Sequence, residues 1–193
     1  MKRIEFEVVS TRGGDDGQTG LYSGERLYKS DIVFETVGEL DALNSHLGLV
    51  KVEFRKMHQK KAVDFIDSVQ SDIIALSGQI ATNPVTQQGQ EMFEQLRLIT
   101  EKKDVRRIEK YQKKLLNDVD IKPIFINPGE SKISALLDVA RTQARKSERS
   151  IVQLIRDRIR TDLYDVQKYV NRLSDVFFVM ARYWGQGHEE FDD

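Results

Sequence analysis

Residues 131–158 read SKISALLDVARTQARKSERSIVQLIRDR. The stretch contains neither proline nor glycine, and its apolar residues return at steps of three and four. At about 100° per residue, Ile133, Leu137, Ala140, Ala144, Ser147 and Ile151 fall within about 40° of one line. This is a long helix with a single stripe to bury. Asp138, Arg141, Arg145 and Glu148 crowd one flank, about 60–140° from that line, while Lys132, Leu136, Gln143 and Ser150 hold the other. The charged flank admits two readings. It is a solvated face laced by i,i+3 and i,i+4 pairs, or it is the wall of a cleft whose arginines hold phosphates bidentately.

Downstream, a second helix is expected from Asp165 to Trp184. Val166, Val170, Leu173, Phe177, Met180 and Trp184 form its core stripe, and Gly185 and Gly187 stop it. Its opposite side carries Asn171, Ser174, Phe178 and Arg182. An aromatic on that polar side is either a singly exposed ring or a surface for a planar ligand or a subunit. Upstream, no proline interrupts Ile32 to Ala81. Val37, Leu40, Leu43, Leu47 and Val50 predict one helix; Ala62, Phe65, Val69, Ile73, Leu76 and Ile80 predict the next, with the turn in the charged cluster Arg55–Lys61. Polar residues 83–97 read as a loop. Thr100 is the expected N-cap of a helix carrying Val105, Ile108, Tyr111 and Leu115, and 117–128 is a loop with two prolines. Five amphipathic helices and almost no strand signal predict an all-α protein. We expect a five-helix up-and-down bundle with an irregular glycine-rich N-terminal arm. A single domain over 1–193 is expected: arm 1–30, bundle 31–185, tail 186–193.

Composition narrows the function. The chain has 193 residues, 39% hydrophobic and 32% charged. No stretch approaches the roughly 18 apolar residues of a bilayer span. The N-terminus has no apolar core of a secretory signal, so a cytoplasmic protein is expected. Lys and Arg total 30 against 31 acids, a balance that does not favour non-specific nucleic-acid or lipid binding. The basic run 102–114 is interrupted by Asp104 and Glu109 and holds one aromatic, Tyr111, so it reads as a solvated face rather than a nucleic-acid surface. The chain contains no cysteine, which excludes disulfides, thiolate metal sites and a Cys nucleophile.

The arm is the other chemical signal. Thr11–Leu21 reads TRGGDDGQTGL. Glycine lets backbone N–H groups turn inward as an anion nest. Arg12 can neutralise phosphate charge, Thr11 and Thr19 can donate to phosphate oxygens, and Asp15 or Asp16 can reach a phosphate-bound Mg²⁺ through water. No GK[ST] follows, so this is not a Walker A loop. A flexible turn is the alternative. On the first helix, Asp41, Asn44 and Gly48 flank the leucine stripe; close approach of a backbone or ligand would explain a helical glycine.

Four ordered blocks carry a specific resemblance: TRGGDDGQTGLYSGERLYKSD (Thr11–Asp31), GELDALNSHLG (Gly38–Gly48), FINPGESKISALLDVARTQARKSER (Phe125–Arg149) and YVNRLSDVFFVMAR (Tyr169–Arg182). With a weaker block at Gln70–Pro84, they cover most of the chain, which resembles the PduO-type ATP:cob(I)alamin adenosyltransferases. The resemblance implies a homotrimeric five-helix bundle with active sites between subunits. It implies transfer of the 5′-deoxyadenosyl group of ATP, carried with Mg²⁺, to the cobalt of reduced cobalamin, releasing triphosphate. It assigns ATP binding to Thr11, Arg12, Gly13, Gly14, Asp15, Gly17, Gln18, Thr19 and Lys29 of the arm, and to Arg145, Glu148, Arg149 and Asn171. It pairs Arg141 with Asp41, places Phe125 on the lower axial face of the corrin, and puts Phe178 near the corrin. No protein ligand to cobalt is expected: His46, His58 and His188 read as surface residues. A reductase or a cobalamin-dependent mutase are the expected protein partners. The pattern departs at Ala42, Glu130, Asp138, Lys146 and Ser147, and Glu130 and Asp138 add negative charge on the corrin side. A non-catalytic bundle that binds ATP or a corrinoid as carrier or regulator is the alternative those departures allow.

Overall fold

The computed structural model describes residues 6–122 and 124–188. Its helices are α1 (Phe6–Val9), α2 (Ile32–Lys56), α3 (Lys60–Ile80), α4 (Gln87–Phe93), α5 (Arg106–Leu116), α6 (Lys132–Arg158) and α7 (Tyr164–Gly185). The five long ones are those the periodicity marks. The shorter elements correct the expectation. The arm is not wholly irregular, because β1 (Gln18–Gly20) and β2 (Arg26–Tyr28) pair antiparallel, with Thr19 opposite Leu27. The segment 83–97 contains α4, capped by the Thr86 hydroxyl, which accepts from Gly89 N at 3.0 Å. Thr100 does not cap with its side chain: a single π-helical turn, Glu101–Val105, precedes α5, and the buried Asp104 carboxylate accepts from Thr100 N at 2.9 Å.

The helices alternate in direction. α2 lies between α3 and α6, and α7 packs on α6 and α5. α5 closes the ring against α3, where Phe65 and Tyr111 stack at 3.7 Å and Arg107 donates to Ser68 Oγ at 2.7 Å. Every apolar stripe residue named above on α6 and α7 is buried. Burying such side chains at about 1.5–3 kcal/mol each is what offsets the entropy of ordering the chain.

The two ends of α6 are built by polar chemistry. At its start, Ser131 and Ser134 form a reciprocal capping box, each hydroxyl accepting from the other's backbone N–H at 3.2 Å, after Gly129 turns the chain at φ +108°. At its end, Ile159 takes a left-handed φ of 53°. The buried Arg160 then donates to Gln79 O at 2.9 Å and Ile80 O at 3.3 Å, satisfying carbonyls at the end of α3. Asp31 caps α2 by accepting from Val33 N at 3.1 Å and also pairs with Arg158. The arm therefore joins the bundle at the end where α6 finishes, and the Phe125 loop lies at the end where α6 begins.

Candidate active site

The charged flank of α6 is the wall of a groove against α7. One cleft of about 290 Å³ is lined by Gln112, Arg141, Arg145, Ser174, Asp175 and Phe178. It adjoins, through Arg145, a second cleft of about 350 Å³ lined by Arg145, Glu148, Arg149, Val152 and Asn171. Arg141, Arg145 and Arg149 stand one turn apart, so their Cα atoms spread over about 12 Å of helix. Asn171 Nδ2 donates to Glu148 Oε1 at 2.9 Å, and Arg172 donates to Asn171 Oδ1 at 2.5 Å. Arg149 donates to Arg145 O at 3.2 Å. The groove is thus formed by α6 and α7, with Gln112 of α5 completing the first cleft.

Several expectations need correction here. Asp138 is not solvated. It is 4% exposed, accepts from Arg141 Nε at 2.8 Å and also pairs with Arg182. Arg182, on the expected polar side of α7, is 2% exposed and lies over the Phe178 ring at 5.5 Å. Phe178 is therefore a half-buried wall rather than a singly exposed ring. Within one chain Arg141 does not pair with Asp41. Glu39, two residues before Asp41, faces α6 and accepts from Gln143 Nε2 at 2.7 Å and Lys146 Nζ at 2.7 Å. Asp41 sits about 200° further round α2 and is exposed. Burial alone would raise the Glu39 carboxyl, but the bonds from Lys146 and Gln143 outweigh it and hold it below the usual carboxylate range. His46 is half-buried rather than a surface residue.

The arm gathers its own candidates. Asp16 Oδ1 accepts from Gln18 N at 3.0 Å, and Arg26 reaches across to Gly13 O at 2.8 Å. Lys29 N donates to Gly17 O at 2.9 Å. The Lys29 ammonium lies where Gly14 leaves room: a Cβ on Gly14 would meet Nζ at 2.9 Å and Gln18 O at 3.3 Å. Arg12 holds a left-handed φ of 55°, a strain of order 1 kcal/mol or more that such loops carry at functional sites. Thr11 Oγ1 accepts weakly from Gly13 N at 3.4 Å, Thr19 is half-buried in β1, and Asp15 projects into solvent. Arg26, which ties Gly13 to Asp16, was not among the residues the sequence reading singled out.

Phe125 is fully exposed, with Ile124 beside it 67% exposed. No element of the single chain covers it among the described residues. The loop thus presents an aromatic ring to solvent at the end of the bundle where α6 begins, opposite the arm.

A model of the cobalamin adenosyltransferase family matches residues 9–184. The chain belongs to that family. A corrinoid adenosyltransferase of Bacillus subtilis is 33% identical over 89% of this chain and 83% of that protein. The human corrinoid adenosyltransferase MMAB is 31% identical over 94% of this chain and 70% of its own length. Among solved structures, a phenylalanine-to-alanine variant of the PduO-type ATP:corrinoid adenosyltransferase of Lactobacillus reuteri, complexed with cobalamin and ATP, matches with a TM-score of 0.81 at 30% identity, covering 92% of this chain and 93% of that one. An arginine-to-lysine variant of the same PduO-type enzyme, complexed with ATP, matches with a TM-score of 0.81 at 31% identity.

Proposed function

We propose that this chain transfers the 5′-deoxyadenosyl group of ATP to the cobalt of reduced cobalamin, releasing triphosphate. The observation that carries the residue assignments is the groove on α6 and α7, where cations at one-turn spacing run from an aromatic wall at Phe178 toward the end that bears the arm. ATP lies toward the arm. Arg145 and Arg149, with Lys29, Arg12 and the N–H groups of Gly13–Gly17, hold its phosphates, and Asn171 and Glu148 line the nucleotide's side of the groove. Mg²⁺ enters on the phosphates, with the exposed Asp15 the free carboxylate nearest to hand in the loop. The corrin lies toward Phe125, Phe178 and Arg141.

The chemistry asks little of a protein nucleophile. The lone pair of Co(I) attacks C5′, the C5′–O bond breaks, and its electron pair leaves on triphosphate. The chain's residues align C5′ with cobalt and stabilise the leaving charge with cations and N–H dipoles. Phe125 supplies an apolar lower face that displaces the axial ligand and excludes water, which makes Co(II) easier to reduce.

Asp41 and Arg141 face away from each other in one chain, so their pairing belongs between subunits, with the homotrimer as the assembly. Losing one partner of a buried pair strands the other at about 3–5 kcal/mol. Asp41→Ala is therefore expected to weaken cobalamin binding more than ATP binding; equal losses would count against the pairing. The activity itself is tested by mixing the protein with ATP, Mg²⁺ and chemically reduced cobalamin. Co–C bond formation changes the absorbance spectrum. Binding of both compounds without that change makes the chain a carrier instead.

A further inference from the structure

We propose that Asp138 is a positioning residue for the corrinoid half of the site, acting through Arg141 and Arg182; this rests on the function proposed above. The argument begins with burial. Asp138 and Arg182 are 4% and 2% exposed and bond to each other. A guanidinium that deep in a helical bundle needs a carboxylate beside it, because an unpaired buried charge is far costlier than a paired one. Asp138 is that carboxylate. Its second oxygen, Oδ1, accepts from Arg141 Nε at 2.8 Å across one turn of α6.

Two consequences follow from one side chain. Arg182, paired with Asp138, lies over the Phe178 ring at 5.5 Å and holds the aromatic wall of the cleft. Arg141, held at Nε, has its long side chain ordered before any ligand arrives; its two Nη groups make no intrachain hydrogen bond among the described residues and stay available across the cleft. Glu130 extends the chain of charges. Its Oε2 lies 3.7 Å from Arg182 Nε, which has no hydrogen-bond partner among the described residues. The four groups thus alternate in sign, Glu130, Arg182, Asp138, Arg141, from the loop that carries Phe125 to the middle of the cleft, and their formal charges sum to zero. The two acids that depart from the family pattern are balanced by arginines rather than left to repel a ligand.

The effect should be one-sided. Asp138 lies seven and eleven residues before Arg145 and Arg149, about 10–16 Å along the helix, so the phosphate end is set independently. The test uses the full chain. Corrinoid affinity is read by absorbance titration with cobalamin, and nucleotide affinity by calorimetric titration with Mg-ATP; both readouts work whether or not turnover is observed. For Asp138→Asn we expect cobalamin affinity, and the corrinoid KM where turnover is measured, to worsen about tenfold, with the ATP values within twofold. Glu130→Gln, at a longer and half-exposed contact, should change either by less than threefold. Unchanged affinities in Asp138→Asn, or losses of equal size for both ligands, overturn the proposal. Should Asp138→Asn fail to fold, Asp138→Glu keeps the charge for Arg182 but displaces it by one methylene. It should show the same one-sided loss at smaller size, and equal effects on both ligands again overturn the idea. Absence of Co–C bond formation in the unaltered protein, by contrast, counts against the proposed function alone.

Discussion

The α6–α7 wall and the Phe125 loop stand at opposite extremes of preparation. On the wall, several polar groups have a partner that fixes them: Arg141 on Asp138, Glu148 on Asn171, Arg149 on the Arg145 carbonyl. In the loop, Phe125 is fully exposed, with no fixing contact among the described residues. The difference follows from what each has to do. Charge stabilisation works when dipoles and cations are already in place and need no reorganisation. An apolar face for a large planar ligand has nothing to pack on until that ligand or a neighbouring subunit arrives.

The comparison can be broken by experiment. The largest effect is expected from the wall: Arg145→Ala should lower adenosylation about 10²–10³-fold, the cost of removing one charge-stabilising group, measured by the absorbance change with pre-reduced cobalamin. A small loss would mean that the arm alone neutralises the triphosphate. Next, Phe125→Ala should abolish most turnover that starts from Co(II), while pre-reduced Co(I) is still adenosylated at near the unaltered rate. Full activity in the Co(II)-dependent assay would remove the loop from the mechanism. A third, smaller effect concerns the arm. Gly14→Ala drives a Cβ into the Lys29 ammonium and the Gln18 carbonyl and should raise the KM for ATP about tenfold with the corrinoid KM unchanged; an unaltered ATP KM would separate Lys29 from the nucleotide.

The smallest effect is on stability. The Glu39 carboxyl is held below its ordinary value of 4.5 once the bonds from Lys146 and Gln143 outweigh burial. A carboxylate whose folded pKa is depressed contributes stability that is full above its unfolded pKa. That contribution is lost as pH falls through the folded value. Glu39→Gln should therefore cost about 1 kcal/mol near neutral pH and flatten the acid side of the melting-temperature profile. An acid limb identical to that of the unaltered protein would show that the α2–α6 contact does not depend on this charge.

Legibility followed the same division. The five long helices and their core stripes were readable because burial imposes a period of 3.6 on any helix with one dry side. The short elements were not. α4 and the β1–β2 hairpin are too brief to show a period, and the π turn before α5 is set by Asp104 accepting from Thr100 N. The site candidates were legible as residue types and spacings. Which of the two readings of the flank holds for Asp138 was not legible, because its environment comes from Arg182, 44 residues away on another helix.

By itself, then, the chain's amino-acid order determined that residues 131–158 and 165–184 are amphipathic helices, that Arg141, Arg145 and Glu148 share a flank, and that a glycine-rich loop near the N-terminus can turn its amides toward an anion. Those are local facts, fixed by helical periodicity and by the absence of a side chain. Only the tertiary structure decided that the flank is a groove, that Asp138 and Arg182 are buried as a pair, that Asp41 faces away from Arg141 within one chain, and that Phe125 stands uncovered. Burial and charge pairing are set by what a neighbouring helix brings against a residue, and that information lies tens of positions away in the sequence.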